Sequence, residues 1–564
     1  MANDVLQVIV EGLEGEEMKN VQAALALPPG LIRDGVVDRP LLDYFLRQVP
    51  EKVRQAMEPF GYYSPGAAAT LEKTAEGGER LRVKVVPGEP VRISEVRITI
   101  QGPGAEEKPL QDLVAASPLK KGDVLNQVQY EKEKGELKAK ALDLGYLNAD
   151  FSVHQIRISR EELKAEIELV LDTGPQFHFG EVTFSGASTY PEPFLRRYLA
   201  FKPGEIFSYA KLGETQLNLI NSDRFKTVTL QARKEEARDL RIPVEVKLTP
   251  SPAKRLRPGI GYGTDTGARV SLRYQDVNVF HQGHEWNSEL SLSERLRGLA
   301  TRYILPSHAD LNSYTSFQLG LRQELLTTYD SQLITLEAER ARGFGKGRLG
   351  SLYLQLRQER FSVGAEQGDS HLVMPGLRFS GRRFDNLIRP TRGYRYSLET
   401  RGTDQILGSD TGFLQQLAEG NLLIPLPYRF SVFTRLQAGA TAQNGPLAEL
   451  PASLRFFAGG DRSVRGYSYQ SLGPKDSSGK VVGGRHLLVS SLELEKALGK
   501  SWGVAAFYDV GNAFDTFGDM RLAQSAGMGI RYYTRVGPIR VDVARPINVE
   551  NPHFRLHFTV GFEL

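Results

Sequence analysis

The stretch LRFFAGGDRSVRGYSYQ occupies residues Leu454–Gln470. It is too polar and too rich in glycine to form part of a membrane wall, and alternating strand patterns lie on both sides of it. We therefore interpret it as a long loop that carries one rigid element, Arg465-Gly466-Tyr467. Arginine stays charged and offers a fork of donors that suits a carboxylate, while Gly466 allows a turn that Tyr467 can wedge in place. From these residues alone, an ordinary surface loop with an exposed arginine explains the stretch equally well.

The region around this loop has a hydrophobic period of two, which is typical of β-strands. In the last segment Phe554, Leu556, Phe558, Val560, Phe562 and Leu564 alternate with Arg555, His557, Thr559, Gly561 and Glu563. About sixteen such segments fit into residues 255–564, each with an expected strand of about 9 to 11 residues. The pattern predicts an all-β, 16-stranded antiparallel transmembrane barrel. A soluble β-sandwich is the alternative, but it explains poorly why apolar faces lie opposite charged ones throughout the region.

The chain before residue 255 contains an internal repeat. Three blocks of about 80 residues share the order strand, short helix, turn, longer helix and two strands. The expected α+β domains are residues 4–88, 89–174 and 175–252, with the first strand starting at Val5. Small mixed domains of this kind leave a sheet edge free to pair with an extended peptide or with a partner's strand. Purely structural spacers are the alternative.

Composition excludes several classes of protein. The chain has 564 residues, no cysteine and a formal net charge of only +4, which argues against disulfides, thiolate metal sites and a dedicated nucleic-acid binder. It has no run of 18 apolar residues, so helical membrane spans are excluded. The N-terminus lacks the basic and apolar regions of a signal peptide. Either the protein is cytosolic or a start methionine has replaced a signal peptide, and an outer-membrane barrel would require the second.

No pattern in the sequence indicates catalytic, cofactor-binding or metal-binding chemistry. His553 and His557 share a strand face but are about 13 Å apart, too far for a common metal ion, and are predicted to face the barrel interior. The glycines Gly259, Gly261 and Gly263 do not match a dinucleotide fingerprint, and Phe344-Gly345-Lys346-Gly347 does not match a phosphate loop. We therefore expect a protein without enzymatic activity or cofactor.

Four stretches resemble a known family. They are Arg383–Asn386 with Pro390–Gly393, Arg455–Tyr467, Phe507–Asn512, and Gly527–Arg531 with Gly537–Asp542. Together they resemble the barrel half of the outer-membrane insertase superfamily whose members combine polypeptide-transport-associated (POTRA) domains with a barrel. The three N-terminal blocks resemble POTRA domains. Three such units rather than five, the wording RFFAGGDRSVRGY and the Glu-Leu terminus are similar to the TamA family within that superfamily rather than to the BamA family.

The resemblance implies a site and a mechanism. The long loop would fold into the barrel interior, where Arg465 of the Arg465-Gly466-Tyr467 element would grip an acidic residue, Asp509 by motif. Asp509 also lies on the interior-facing side of its own strand pattern. The first and last strands would meet in a weak lateral seam, with glycines in the opening strand (Gly259, Gly261, Gly263) and in the closing strand (Gly561).

The resemblance also implies partners and a location. The barrel would lie in the bacterial outer membrane with the POTRA domains in the periplasm. Its partners would be unfolded outer-membrane client proteins, including autotransporter-like barrels, outer-membrane lipid, and a TamB-like inner-membrane protein that spans the periplasm. A passive or two-partner-secretion pore remains an alternative, although it would need a plugging helix before the POTRA units. An enzyme anchored by a barrel is a further alternative, and it would need a catalytic constellation.

Overall fold

The computed structural model describes residues 6–33, 35–74, 78–386, 390–499, 501–534, 537–547 and 549–560. Two predictions fall partly outside these ranges: the start of the first strand at Val5, and the end of the closing strand with Gly561. No helix of the described residues is long and apolar enough to cross a membrane.

The N-terminal part folds into three successive α+β domains. The first comprises β1 (Leu6–Glu11), α1 (Gly15–Ala24), a small hairpin of β2 (Ile32–Arg33) and β3 (Val36–Val37), α2 (Arg39–Met57), β4 (Gly66–Lys73) and β5 (Glu79–Val86); the second comprises β6 (Arg92–Gln101), α3 (Lys108–Ala115), α4 (Gln127–Asp143), β7 (Asp150–Ser159) and β8 (Lys164–Asp172); the third comprises β9 (His178–Ser185), α5 (Glu192–Arg196), α6 (Tyr209–Asn221), β10 (Phe225–Ala232) and β11 (Arg241–Pro250). The predicted order of elements is confirmed, with the β2–β3 hairpin as an addition.

Each domain has a three-stranded sheet with its last strand in the centre. The sheet orders are β1-β5-β4, β6-β8-β7 and β10-β11-β9. In the first two domains the opening strand runs parallel to the last strand, and the remaining strand runs antiparallel to it. The helices cover the sheet because their apolar residues recur every three or four positions; in α2 these are Leu42, Phe45, Val49 and Val53, all buried.

The long helices of the three domains end in the same way. Gly61 and Gly145 follow them with left-handed backbone conformations, at φ of 87° and 85°. Asp223 takes this position in the third domain with φ of 58°, which a short polar side chain tolerates. The sequence repeat therefore reflects a shared backbone requirement at the end of each helix.

Residues from Lys254 onward form a closed antiparallel barrel of sixteen strands in the described chain, as predicted. The strands are β12 (Lys254–Gly263), β13 (Gly267–Val279), β14 (His284–Ser293), β15 (Leu296–Pro306), β16 (Tyr314–Leu325), β17 (Tyr329–Gly343), β18 (Arg348–Val363), β19 (Glu366–Phe384), β20 (Gly393–Thr403), β21 (Phe413–Leu426), β22 (Phe430–Gln443), β23 (His486–Ala497), β24 (Trp502–Phe514), β25 (Ala523–Thr534), β26 (Gly537–Ile547) and β27 (Arg555–Val560). Each pairs with its neighbour in sequence, and β12 lies beside β27.

Along each strand the side chains alternate between the outer and inner faces of the barrel wall. On β17 and β18 the outward positions are apolar and exposed (Ile334, Leu336, Leu352, Leu354, Leu356), whereas Glu339, Arg357 and Glu359 face inward and are buried. The predicted strand length is too short for this part of the barrel, because β17, β18 and β19 have 15, 16 and 19 residues. The prediction counted only the length that crosses hydrocarbon; the additional length supports the long loop.

Candidate functional site

The long loop, residues 444–485, connects β22 to β23 and places Arg465 against the inner wall. The guanidinium uses all five of its N–H donors. Nε and one terminal nitrogen donate to Asp509, at 2.8 and 2.9 Å, and that second nitrogen also donates to Ser491 at 3.1 Å. The other terminal nitrogen donates to Glu493 at 2.8 Å and to Asp542 at 3.2 Å. We call these five residues the loop clamp.

In the loop clamp, carboxylates surround the buried charge of Arg465. Burial disfavours the charged guanidinium, but the hydrogen bond and charge of Asp509, together with Glu493 and Asp542, raise the pKa of Arg465 above its usual value. From the wall, Arg531 donates to Glu493 at 2.8 Å and also to Asp542. Two arginines therefore share three buried carboxylates, and removing either arginine leaves these carboxylates with less compensating charge.

The face of the Arg465 guanidinium is also occupied. Its central carbon lies 3.3 Å from the centroid of the Phe507 ring, which is buried on the inward side of β24. Two glycines of β25 make room for this arrangement. A Cβ at Gly527 would lie 2.4 Å from the Phe507 ring, and a Cβ at Gly529 would lie 1.7 Å from a carboxylate oxygen of Asp542. The Gly527-Met528-Gly529 pattern thus opens the wall on the inward side, where the loop clamp needs space.

Gly466 and Tyr467 shape the turn that follows Arg465. Gly466 has φ of 90°, which favours glycine, and its N–H donates to Nε2 of His557 on β27 at 2.8 Å. A Cβ at this position would also lie 3.3 Å from Pro546. Tyr467 is half-buried and packs against the cluster of Ala458, Val464 and Val489. The element Arg465-Gly466-Tyr467 therefore contacts the wall through all three residues.

A second anchor holds the base of the long loop. The Arg455 side chain is fully buried and donates to the backbone carbonyls of Leu450 at 2.8 Å and Val482 at 3.2 Å, and to the Glu366 carboxylate at 2.8 Å. It thereby joins the two ends of the loop to β19. Nearby, Ser453 donates to Glu359 of β18. The loop is therefore fixed to two separate parts of the wall.

The junction of β12 and β27, which we call the seam, is paired unevenly. Residues Arg555–Val560 of β27 oppose six residues of β26. Within the described chain they pair with β12 at one position, Gly263 opposite Thr559. The backbone N–H of Thr264 donates to Phe558 at 3.2 Å, and on the outer face the rings of Tyr262 and Phe558 lie 6.0 Å apart. Arg555–Phe558 of β27 lie past the β12–β13 turn, so β12 has no strand residue opposite these four.

The glycines of β12 have extended backbones, and side chains of β13 cover two of them. A Cβ at Gly259 would lie 2.6 Å from the Ser271 hydroxyl, and a Cβ at Gly261 would lie 2.6 Å from Nε of Arg269. Arg269 passes over Gly261 and donates to the carbonyl of Val560 at 2.9 Å. Gly263 belongs to the paired position. The missing side chains of β12 thus allow β13 to reach β27 directly.

Comparisons with known proteins bear on this architecture. The model of the Omp85 superfamily domain matches residues 257–564. The chain belongs to the Omp85 superfamily. The model described as POTRA domain TamA domain 1 matches residues 7–87, and that described as surface antigen variable number repeat matches residues 91–174 and 177–250. These three ranges agree with the three α+β domains, which are POTRA domains.

Similar proteins are named for assembly of the outer membrane. The chain is 22% identical over 442 residues to the outer membrane protein assembly factor BamA of Nitratidesulfovibrio vulgaris, covering 74% of this chain and 55% of that protein. It is 21% identical over 576 residues to BamA of Neisseria meningitidis, covering 91% and 72%. The chain thus spans about half the length of the first relative. The crystal structure of BamA from Haemophilus ducreyi lacking POTRA domains 1–3 has a TM-score of 0.68 at 18% identity, covering 83% of this chain and 99% of that structure, which shows a shared fold.

A cluster of potential metal ligands lies beside the seam of this Omp85 barrel. Ligand-type atoms of Asp265, Asp461 and His557 lie within 4.8 Å of one another. Both imidazole nitrogens already have partners, because Nε2 accepts the Gly466 N–H and Nδ1 lies 2.5 Å from Asp461. Burial, and then the nearby Asp461 charge, raise the pKa of Asp265 in the β12–β13 turn to about 6. We interpret the cluster as a hydrogen-bond network.

The sequence identified only part of this Omp85 site. Arg465 and Asp509, predicted as partners, lie in contact, and Gly466 and Tyr467 lie beside them. Glu493, Asp542, Phe507 and His557 were not predicted as partners of the loop. The period of two places all four on the inward face, and this signal could have made them candidates. Gly561 lies outside the described residues.

Proposed function

We propose that this chain is an outer-membrane insertase or translocase, without enzymatic activity, that assembles unfolded barrel proteins through its seam. The observation that carries the proposal is the offset of the two strands at the seam: in the described chain, Arg555–Phe558 of β27 pair with β26 and lie past Gly263, the last residue of β12. The offset leaves this part of the closing strand without a ladder to the opening strand, and such a junction opens at a lower free energy than one in which the strands overlap along their whole length. An open junction presents two strand edges, and a client strand can extend either of them.

The long loop favours a lateral route over a passive pore. Arg455 attaches the loop to β19, and Arg465 attaches it to β23, β24 and β26. The loop therefore occupies the barrel interior between these strands. A conducting pore would have to release both anchors, each of which includes a buried arginine with a carboxylate partner. Lateral opening needs only the seam to separate.

The match of residues 7–87 to the first POTRA domain of TamA supports a TamA-like role within the superfamily. On this proposal, the POTRA domains occupy residues 4–88, 89–174 and 175–252 and lie in the periplasm, and residues 255–564 form the barrel in the outer membrane. The clients are autotransporter-like and other barrel proteins. The partner is a TamB-like inner-membrane protein that spans the periplasm, and outer-membrane lipid surrounds the seam. The BamA names of the relatives support assembly of outer-membrane proteins as the activity.

Reconstitution tests the activity. The purified protein in liposomes should accelerate the folding of a urea-denatured autotransporter barrel, measured as the client fraction that migrates in folded form on unheated gels. Liposomes containing an unrelated barrel serve as the control. Equal client folding in both preparations, together with ion conductance of the test liposomes, would favour the passive pore. Co-purification from native membranes tests the partner: a large periplasm-spanning protein should be retained by the full chain and lost when the POTRA domains are deleted.

A further inference from the structure

Asp461 lies where the long loop reaches the seam, and its carboxylate contacts both sides of the junction. The hydroxyl of Thr264, in the turn after β12, donates to its two oxygens at 2.9 and 3.1 Å. Nδ1 of His557, on β27, lies 2.5 Å from one of the same oxygens. The Asp461 side chain is only 7% exposed. One buried carboxylate from a third segment therefore bridges the first hairpin and the last strand.

The hydrogen-bond roles at His557 follow from its neighbours. The Gly466 N–H can only donate, so Nε2 of His557 accepts, and the proton of the neutral ring lies on Nδ1. Nδ1–H then donates to Asp461. The loop thus contacts β27 through both nitrogens of one imidazole. In addition, the backbone N–H of Asp461 donates to Asp265 of the β12–β13 turn at 2.7 Å, which fixes the loop to the other side of the seam.

We propose that Asp461 is a latch that holds the seam closed for as long as the loop clamp is formed. Arg555, Leu556 and His557 lie beyond the backbone hydrogen bond from Thr264 to Phe558, so at this level of the seam hydrogen bonds to the Asp461 carboxylate join the two sides. Asp461 and Arg465 are four residues apart in the chain, a distance of at most about 14 Å when fully extended. A movement that withdraws Arg465 from the wall therefore also withdraws Asp461. This inference rests on the proposed function for its purpose, but the coupling of loop to seam is measurable without any client.

Pulsed electron paramagnetic resonance can follow the seam in the full chain. The chain contains no cysteine, so spin labels at Val270→Cys and Leu556→Cys would be unique. Both positions are exposed on the outer face, and β13 and β27 lie on opposite sides of the seam. Their levels differ by six residues, so the separation is roughly 20 Å along the strands and roughly 10 Å across them. This distance is within the range of the method.

The choice of variants distinguishes loss of the latch from a general loss of barrel stability. Asp461→Ala removes both bridging contacts. Thr264→Val keeps the shape of the side chain but removes the hydroxyl, which also accepts the Phe558 N–H at 3.2 Å. Each should increase the long-distance, open population by about tenfold, and the double variant should add little to Thr264→Val alone. Arg465→Ala should do the same through the loop. Asp476→Ala is the matched control, because this carboxylate of the same loop accepts hydrogen bonds from the local turn at Ser478 and Lys480.

Heat-modifiable migration on gels shows that each variant barrel is folded before its distances are measured. If Asp461→Ala does not fold, Thr264→Val provides the test. The latch is overturned if the folded latch variants have the distance distribution of Asp476→Ala and of the unsubstituted protein. A latch variant that loses client assembly while its seam distances stay unchanged would count against the latch but not against the proposed function. An opened seam with no client assembly by the unsubstituted protein would support the latch and reject the function.

Discussion

Arg465 stacks on Phe507 with 3.3 Å between the guanidinium carbon and the ring centroid, while the edge of the same guanidinium donates to Asp509. The planar group thus satisfies an aromatic face and a carboxylate at the same time. A lysine ammonium is a compact point charge with three donors, and it cannot reproduce both contacts. The choice of arginine at this position follows from this double requirement.

Replacement of Arg465 should release the long loop from β23, β24 and β26, while Arg455 still holds its base. Arg465→Ala leaves Asp509 buried without its cation, and we expect a loss of about 3 to 5 kcal/mol in stability. Arg465→Lys should recover little of this loss. Thermal unfolding in detergent and limited proteolysis of residues 444–485 provide the measurements. Arg360→Ala is the control, because its ion pair with Asp369 is exposed and should contribute at most about 1 kcal/mol. Equal proteolysis of Arg465→Ala and Arg360→Ala would contradict the loop clamp.

Gly529 should be needed to keep Asp542 in its place in the loop clamp. In Gly529→Ala the new methyl would collide with Asp542, which must then leave Arg465 and Arg531. We expect a loss of about 1 to 3 kcal/mol and faster proteolysis of the loop. Gly420→Ala on β21 is a matched control, since a Cβ there meets nothing within 4 Å and should be neutral or slightly stabilising. A Gly529→Ala protein as stable as Gly420→Ala would show that the wall tolerates a different position of Asp542.

Periodicity explains how much of this molecule could be predicted from its sequence. Alternation with a period of two is a local pattern, and it predicted the sixteen strands. The internal repeat predicted the three N-terminal α+β domains. The same alternation placed Asp509 inside the barrel, but it gives only the face of a strand, not its height. Glu493 and Asp542 bind Arg465, and His557 binds Gly466. They lie 28 to 91 residues away from these loop residues in the chain. Which inward residues meet the loop depends on the register between strands, and a single sequence does not contain that information in local form.

Asp265 should make the stability of the folded barrel depend on pH. Its pKa is raised to about 6 by burial and by the charge of Asp461, and His557 and Arg295 also face this group. A carboxyl whose pKa is higher in the folded state stabilises that state below its unfolded pKa, near 4, and this stabilisation is lost as the pH rises to about 6. Asp265→Asn keeps an oxygen to accept the Asp461 N–H and removes the charge. It should therefore raise the unfolding temperature at pH 7.5, with a smaller difference from the unsubstituted protein at pH 5 and almost none below pH 4.

The matched control for this pH dependence is a carboxylate with the opposite shift. Hydrogen bonds from the Thr391 hydroxyl and from the backbone of Arg392 and Thr391 lower the pKa of Asp385 to about 2. Asp385→Asn should therefore destabilise the barrel at pH 7.5, and this effect should shrink as the pH falls below 4. Unfolding temperatures of both variants across pH 2 to 8 provide the measurement. Parallel pH profiles for the two variants would rule out the assigned environment of Asp265.

A disulfide across the seam should separate the fold from the proposed function. Gly263 and Thr559 lie directly opposite each other, and the Thr264 N–H donates to the Phe558 carbonyl, so they form a non-hydrogen-bonded pair. Such pairs have Cα atoms about 4.5 Å apart, within the range for a disulfide. A Cβ at Gly263 meets nothing closer than 3.4 Å.

Oxidised Gly263→Cys/Thr559→Cys should keep a folded barrel but lose client assembly, and reduction should restore it. The control is Ala418→Cys/Ala438→Cys between β21 and β22, which should stay active when oxidised. Full activity of the quantitatively crosslinked seam would mean that clients do not enter between β12 and β27.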